Sequence, residues 1–398
     1  MPGVTAHIFM ADIRDILEMW NTQLISIACV LPQKYSEKDV IEALKTYYPH
    51  EWYSVEMKYL YYTQKDKCLK KRFGKARYNM EPVEQLLQKS QQYNTIMSSK
   101  YREWYSNSFS EEALEKEKST LWKKREGKIQ RIDKKIEHAK LKVQQVTPAY
   151  IDQLIGLYER KNTSQKDRLY ILRELKKYYS PPIVQFFYKL CDTELNKQLR
   201  WEAFYHLQSF NYHPRARRQK YMQIHTNNKK RRHYLKYIYP DERFDIVQTP
   251  DELEYRINNA KEQLLKEYDF FISHSYMDCT LVQKLIQYEN CEGKDIFCDW
   301  INDSDYLKRH LLCEATLMVI EKRLQQSRAL LFVESDNSTK SVWCRYELNY
   351  FYELGRPIYT ISANKIANGD FTSQLETNNW FLDPKYKELA LLAAAKNS

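Results

Sequence analysis

Residues Tyr268–Asp278 read YDFFISHSYMD. A short apolar run stops abruptly at Ser273, His274 and Ser275, after which Asp278 can open a helix. Polar residues at the C-terminal end of a strand mark the place where open parallel α/β sheets hold ligands. The pattern then recurs. Lys294–Cys298 (KDIFC) is strand-like and ends in Asp299 and Trp300, ahead of the polar loop INDSDYLKR. A helix from about His310 to Gln326 leads to a third strand, Ala329–Val333. A loop around Asp336–Ser341, a helix over Val342–Leu354 and a fourth strand, Pro357–Ile361, follow. Regular alternation of strand and helix predicts a parallel sheet covered on both faces.

Three segments carry a family resemblance. FISHSYMD (271–278) resembles the first box of TIR (Toll/interleukin-1 receptor) domains, and CDWINDSDYLKR (298–309) resembles their second strand and the loop after it. SVWCRYEL (341–348) resembles the helix that bears the catalytic glutamate in TIR domains that cleave NAD. The resemblance covers residues 267–365 and implies a flavodoxin-like α/β fold there, with NAD+ as substrate and neither metal nor added cofactor. It assigns catalysis to Glu347 and places Ser273, Ser275, Asp299 and Trp300 along the cleft, with Trp343 as a wall of the pocket. It also implies self-association through the TIR domain and, by likeness to prokaryotic helical–TIR fusions, a setting in antiviral defence. One departure stands out: residues 300–310 lack the glycine common after the second strand and offer Asp303, Asp305, Lys308 and Arg309 instead.

The residues support the glutamate independently. Trp343 and Glu347 are four apart on a helix and project from one face. Breaking the nicotinamide–ribose bond develops an oxocarbenium-like cation, which a carboxylate beside the ribose stabilises. Other readings stay open: Glu347 as an ordinary helical glutamate in a non-enzymatic assembly module, Trp343 as core, and Ser273 and Ser275 as helix caps. His274, with no partner placed beside it, reads as structural.

The preceding 266 residues read as all-α. Residues 1–107 form short helices with aromatic faces: Ser36 caps Glu37–Tyr48, Pro49 stops it, and Trp52–Leu69 is helical. Residues 108–147 form a long charged helix opened by a Ser108/Glu111 capping box. Its seam, Ile129, Ile132, Ile136, Ala139 and Val143, suits packing on its own domain or on another copy. Residues 148–240 resemble HEAT-like hairpins, because RLYILREL (168–175) and RWEAFYHL (200–207) match at an offset of 32. Residues 241–266 are a turn and a helix from Asp251 to Lys266, and 366–398 a tail with a short helix.

Charge is divided along the chain. The total is +11, with −4 from residue 261 onward and +15 before it. The basic tract 215–236 (Arg215, Arg217, Arg218, Lys220, Lys229, Lys230, Arg231, Arg232 and Lys236) has Tyr221, Tyr234 and Tyr237 in or beside it. It fits a polyanion or protein trigger, a nucleic-acid contact, or a solvated face. Eight cysteines without a CxxC pair or zinc spacing read as free thiols. No apolar run is long enough to cross a bilayer, so the chain is expected in the cytoplasm, with no membrane partner. Seven glycines disfavour a glycine-rich phosphate loop.

Overall fold

The computed structural model describes residues 4–215, 217–218, 222–307 and 313–395. Contacts divide the chain into two compact units. The first takes Met1–His138, Tyr188–Leu195 and Arg200–Lys236; the second takes Ala139–Phe187, Asn196–Leu199 and Tyr237–Ser398.

The first unit is helical: α1 (Val4–Ile27), α2 (Glu37–Tyr47), α3 (Pro49–Phe73), α4 (Val83–Leu87), α5 (Gln91–Met97), α6 (Ser99–Asn107) and most of α7 (Glu111–Lys140). Local chemistry sets the ends. Ser36 and Asp39 form a capping box at α2, Pro49 takes the first position of α3, and Gly74 closes α3 with φ 77°. The core gathers Trp20, Leu24, Val40, Leu44, Trp52 and Leu87. Two expectations change at α7. The Ser108 hydroxyl donates to the carbonyls of Trp104 and Tyr105 and so closes α6, while Ser110 accepts from Ala113 N at the start of α7. Val143 lies beyond the end of α7, so the seam is shorter than the spacing suggested.

Helices α8 (Ile151–Glu159), α9 (Gln165–Leu175), α10 (Pro181–Thr193) and α11 (Lys197–Ser209) follow. The two segments matched at the 32-residue offset sit in α9 and α11, which fall mainly in different units. Within the tract 215–236, α12 covers only Lys229–His233, capped by Asn228. Arg215 is paired with Asp12 and Asp15. Lys220 and Tyr221 lie outside the described residues.

The second unit holds the sheet. β1 (Tyr268–Ser273), β2 (Ile296–Phe297), β3 (Ser327–Glu334), β4 (Ile358–Ser362) and β5 (Gln374–Leu375) are ordered β2-β1-β3-β4-β5. The first four are parallel, with Phe271 opposite both Phe297 and Leu330. The expected four-strand parallel sheet is present, and β5, not foreseen, adds an antiparallel edge beside β4. Helices ahead of and between the strands are α13 (Pro250–Asn259), α14 (Lys261–Leu264), α15 (Cys279–Cys291), α16 (Asp299–Asn302), α17 (Glu314–Gln325), α18 (Val342–Glu353), α19 (Ala363–Ala367) and α20 (Tyr386–Ala395). The helix expected over 251–266 breaks at Ala260, which is extended at φ −98° and ψ 130°. The helix expected from His310 begins at Glu314 among the described residues; Lys308, Arg309 and His310 lie outside them.

Apolar clusters cover both sheet faces. Phe271, Phe297, Leu330 and Phe332 pack with α17 and α18; Ile272, Ile296, Leu331 and Val333 pack with α15 and α19. Phe381, Tyr386 and Ala390 join the first cluster, so residues beyond 366 belong to the core of this unit.

Trp20 is fully buried beside Trp52, with ring centroids 5.9 Å apart. Trp20→Ala should cost about 3–5 kcal/mol of stability, read as a lower urea midpoint by circular dichroism. A loss below about 1 kcal/mol would contradict the described packing.

Candidate functional site

β1 delivers Ser273 to its C-terminal end with no exposed surface. α18 is started by Ser341, whose hydroxyl accepts from Cys344 N, and one turn later it presents Glu347 to the same place. The Ser273 hydroxyl donates to Glu347 Oε2 at 2.6 Å, joining residues 74 apart in the chain. Both were singled out from the sequence.

Burial is the main influence on Glu347 and pushes its carboxyl up. The hydrogen bond from Ser273 opposes this, the charge of Asp299 adds to it, and the result is about 8. Among the described residues no cation offsets the burial, which favours the neutral carboxyl at pH 7.

Asp299 and Trp300 begin α16 directly after β2. Asp299 is exposed and its Oδ1 accepts from Trp300 N at 2.8 Å. Trp300 Nε1 donates to His274 Nε2 at 2.9 Å, which assigns the His274 proton to Nδ1, facing the Ile272 carbonyl at 3.3 Å. His274 thus has a partner that the sequence did not reveal. Ser275 acts as a cap, accepting from Met277 N at 3.4 Å. Trp343 is half-buried against the core containing Phe332 and Tyr346. Asp278 ties two loops together, accepting from Ser335 Oγ at 2.6 Å and Asn337 Nδ2 at 3.2 Å.

His274, Cys298 and Asp299 bring ligand-type atoms within 4.8 Å of one another, the one such group among the described residues. Cation binding there would compete with the Trp300–His274 bond, and burial raises the Cys298 thiol well above its usual range. Asp303, expected as a loop charge, is fully buried.

Residues 271–368 match the TIR-like domain of Thoeris protein ThsB. Over 385 residues, covering 96% of this chain and 98% of the relative, the chain is 34% identical to "Putative cyclic ADP-D-ribose synthase TIR2" of Cytobacillus dafuensis. The chain belongs to the ThsB-type TIR family. It is also 36% identical over 105 residues to "Probable 3' cyclic ADP-D-ribose synthase ThsB'" of Bacillus cereus (strain MSX-D12), covering 26% of this chain and 54% of that protein. No solved structure matches the chain.

The TIR domain gives a titration prediction. The Ser273 hydrogen bond lowers the Glu347 carboxyl, so Ser273→Ala should move its titration upward from about 8. The difference infrared carboxylate band against Glu347→Gln reports it, and an unchanged midpoint would show that the bond has no influence.

Proposed function

We propose that this TIR protein cleaves NAD+ at the nicotinamide–ribose bond, with Glu347 as the catalytic carboxylate. The observation that carries the reading is Glu347 held by Ser273 at a strand end, part-buried and without a cationic partner among the described residues. When the C1–nitrogen bond breaks, its electron pair leaves with nicotinamide and positive charge develops on the ribose. Glu347, ionised, stabilises that charge and can hold the ribose hydroxyls. Capture of the ribose carbon by water gives ADP-ribose and a proton; capture by an internal nucleophile gives a cyclic product. The names of the two relatives favour the cyclic product. Ser275, Asp299, Trp300 and Trp343 would line the substrate, and no added cofactor enters the scheme.

NAD+ itself helps to set the charge state. Its cationic nicotinamide ring favours the ionised form of a neighbouring carboxyl. The pH profile of kcat/KM should therefore rise toward about 8, while the kcat profile, read on the complex, should shift to lower pH.

Self-association through the TIR domain is part of the same proposal. A second copy covering the strand ends would exclude water and strengthen the field of Glu347. The helical region would act as a sensor, in antiviral defence, with the basic tract 215–236 contacting a polyanion or protein trigger. Among the described residues, the exposed Arg218, Lys229, Lys230 and Arg231 suit such a contact, whereas Arg215 already has acidic partners and Arg232 donates to Thr226 O.

The decisive assay is NAD+ turnover with product separation, at several protein concentrations. Glu347→Gln should lower turnover by at least about 100-fold. Its stability should follow a definite sign. A carboxyl raised from 4.5 to about 8 in the folded state destabilises the fold progressively as pH rises through that window. Glu347→Gln should accordingly melt above the wild type at pH 8.5 and level with it at pH 4. Equal turnover by variant and wild type would remove Glu347 from catalysis, and no turnover by a clustered wild type would favour a scaffold.

A further inference from the structure

The second unit contains a closed, largely buried ring of polar groups built from residues other than Glu347 and Ser273. Asp303 and Arg323 have no exposed surface; Arg323 Nε donates to Asp303 Oδ2 at 2.7 Å and Nη2 to Oδ1 at 3.2 Å. Nη2 also donates to Gln263 Oε1 at 2.8 Å, and Gln263 Nε2 donates to Glu174 Oε1 at 3.0 Å. Lys177 Nζ completes the ring, 2.8 Å from Glu174 Oε2 and 3.4 Å from Asp303 Oδ1. Lys266 Nζ branches from it, donating to Glu174 Oε2 at 2.6 Å.

Glu174 comes from α9, well ahead of the TIR domain in sequence. Asp303 directly follows α16, and its amide donates to the Asp299 carbonyl at 2.9 Å. Within the same turn Asn302 Oδ1 accepts from Cys298 N at 2.9 Å. The backbone that carries Asp299 and Trp300 is thus tied to the ring through a single residue.

We propose that Glu174 is a positioning residue for the TIR site: it closes the ring, fixes Asp303, and so sets the turn bearing Asp299 and Trp300. The role of that turn in NAD+ binding rests on the function proposed above; the mechanical link from Glu174 to the turn does not. The charge balance explains the dependence. The ring and its branch hold Lys177, Lys266 and Arg323 against Glu174 and Asp303. Without the Glu174 charge, two buried cations and the part-buried Lys177 face one carboxylate. Lys177 then loses the carboxylate that holds it beside Asp303, and the bridge from α9 to the turn opens.

Amide hydrogen exchange on the full chain tests this without relying on turnover. In Glu174→Gln, exchange across residues 299–303 should accelerate about tenfold or more while β1, β3 and α18 keep wild-type protection. The same variant should raise KM for NAD+ several-fold and change kcat much less. Lys177→Met removes only the bridge and should give the same pattern more weakly; it also serves if Glu174→Gln does not fold. Glu174→Asp, which restores the charge, should recover part of the protection. A uniform loss of protection in the variants, or wild-type exchange at 299–303 in a folded one, would overturn the proposal. If wild-type NAD+ turnover is absent but exchange at 299–303 responds as described, the link stands and the NAD+ reading fails.

Discussion

Burial of both faces of the sheet governs what this protein can do. Four parallel strands covered on each side must be apolar along their length, as Phe271, Ile272, Leu330 and Leu331 are. Polar side chains then concentrate at strand ends, and chain direction places the ends of β1 and β2 together. Ser273 and Asp299 follow from that geometry. α18 crosses the same edge, so a carboxylate one turn into it meets the serine without any special loop.

The second unit holds several buried carboxyls, and their surroundings separate them. For Glu174 and Asp303, burial alone would raise the carboxyl, but neighbouring cations outweigh it and both are lowered. Asp295 is raised to about 8 by burial, against hydrogen bonds from Tyr150 and Tyr178. It sits just before β2, at the opposite end of that strand from Asp299, closed in by the two tyrosines. Glu347, part-buried, combines a raised carboxyl, no cationic partner among the described residues and a position at the C-terminal strand ends. The cationic nicotinamide ring of NAD+ would supply what the site lacks, which is the electrostatic argument for the proposed chemistry there.

Much of this was legible in the sequence because it rests on short-range patterns. Apolar runs ending in Ser273 and Asp299 located strands and the candidate edge, and the resemblance of SVWCRYEL to a TIR helix located Glu347, with helical spacing placing it on the face of Trp343. The ring was not legible. Glu174, Lys177, Lys266 and Arg323 are charged residues spread between positions 174 and 323 of the chain, and only long-range packing brings them together and buries most of them. β5 is two residues long, below what an alternation pattern can reveal. Ser108 and Ser110 are both plausible caps by type, and which one opens α7 depends on where α6 ends. His274 looked unpartnered because Trp300 lies 26 residues away.

The composition of the second unit bears on how a trigger could act. Residues 139–187 pack with the sheet, so α9 is part of the body that carries the site and not a tether beyond it. A tether changes local concentration and leaves the site itself unaltered. A buried ion ring behaves differently, because removing one partner leaves an uncompensated charge at a cost of roughly 3–5 kcal/mol. That exceeds the roughly 1–3 kcal/mol typical of coupling between sites. A ligand that only loosens α9 would therefore leave the ring closed. One that displaces α9 must supply the full difference, and the site loop then responds as a switch between two states instead of in proportion to the displacement.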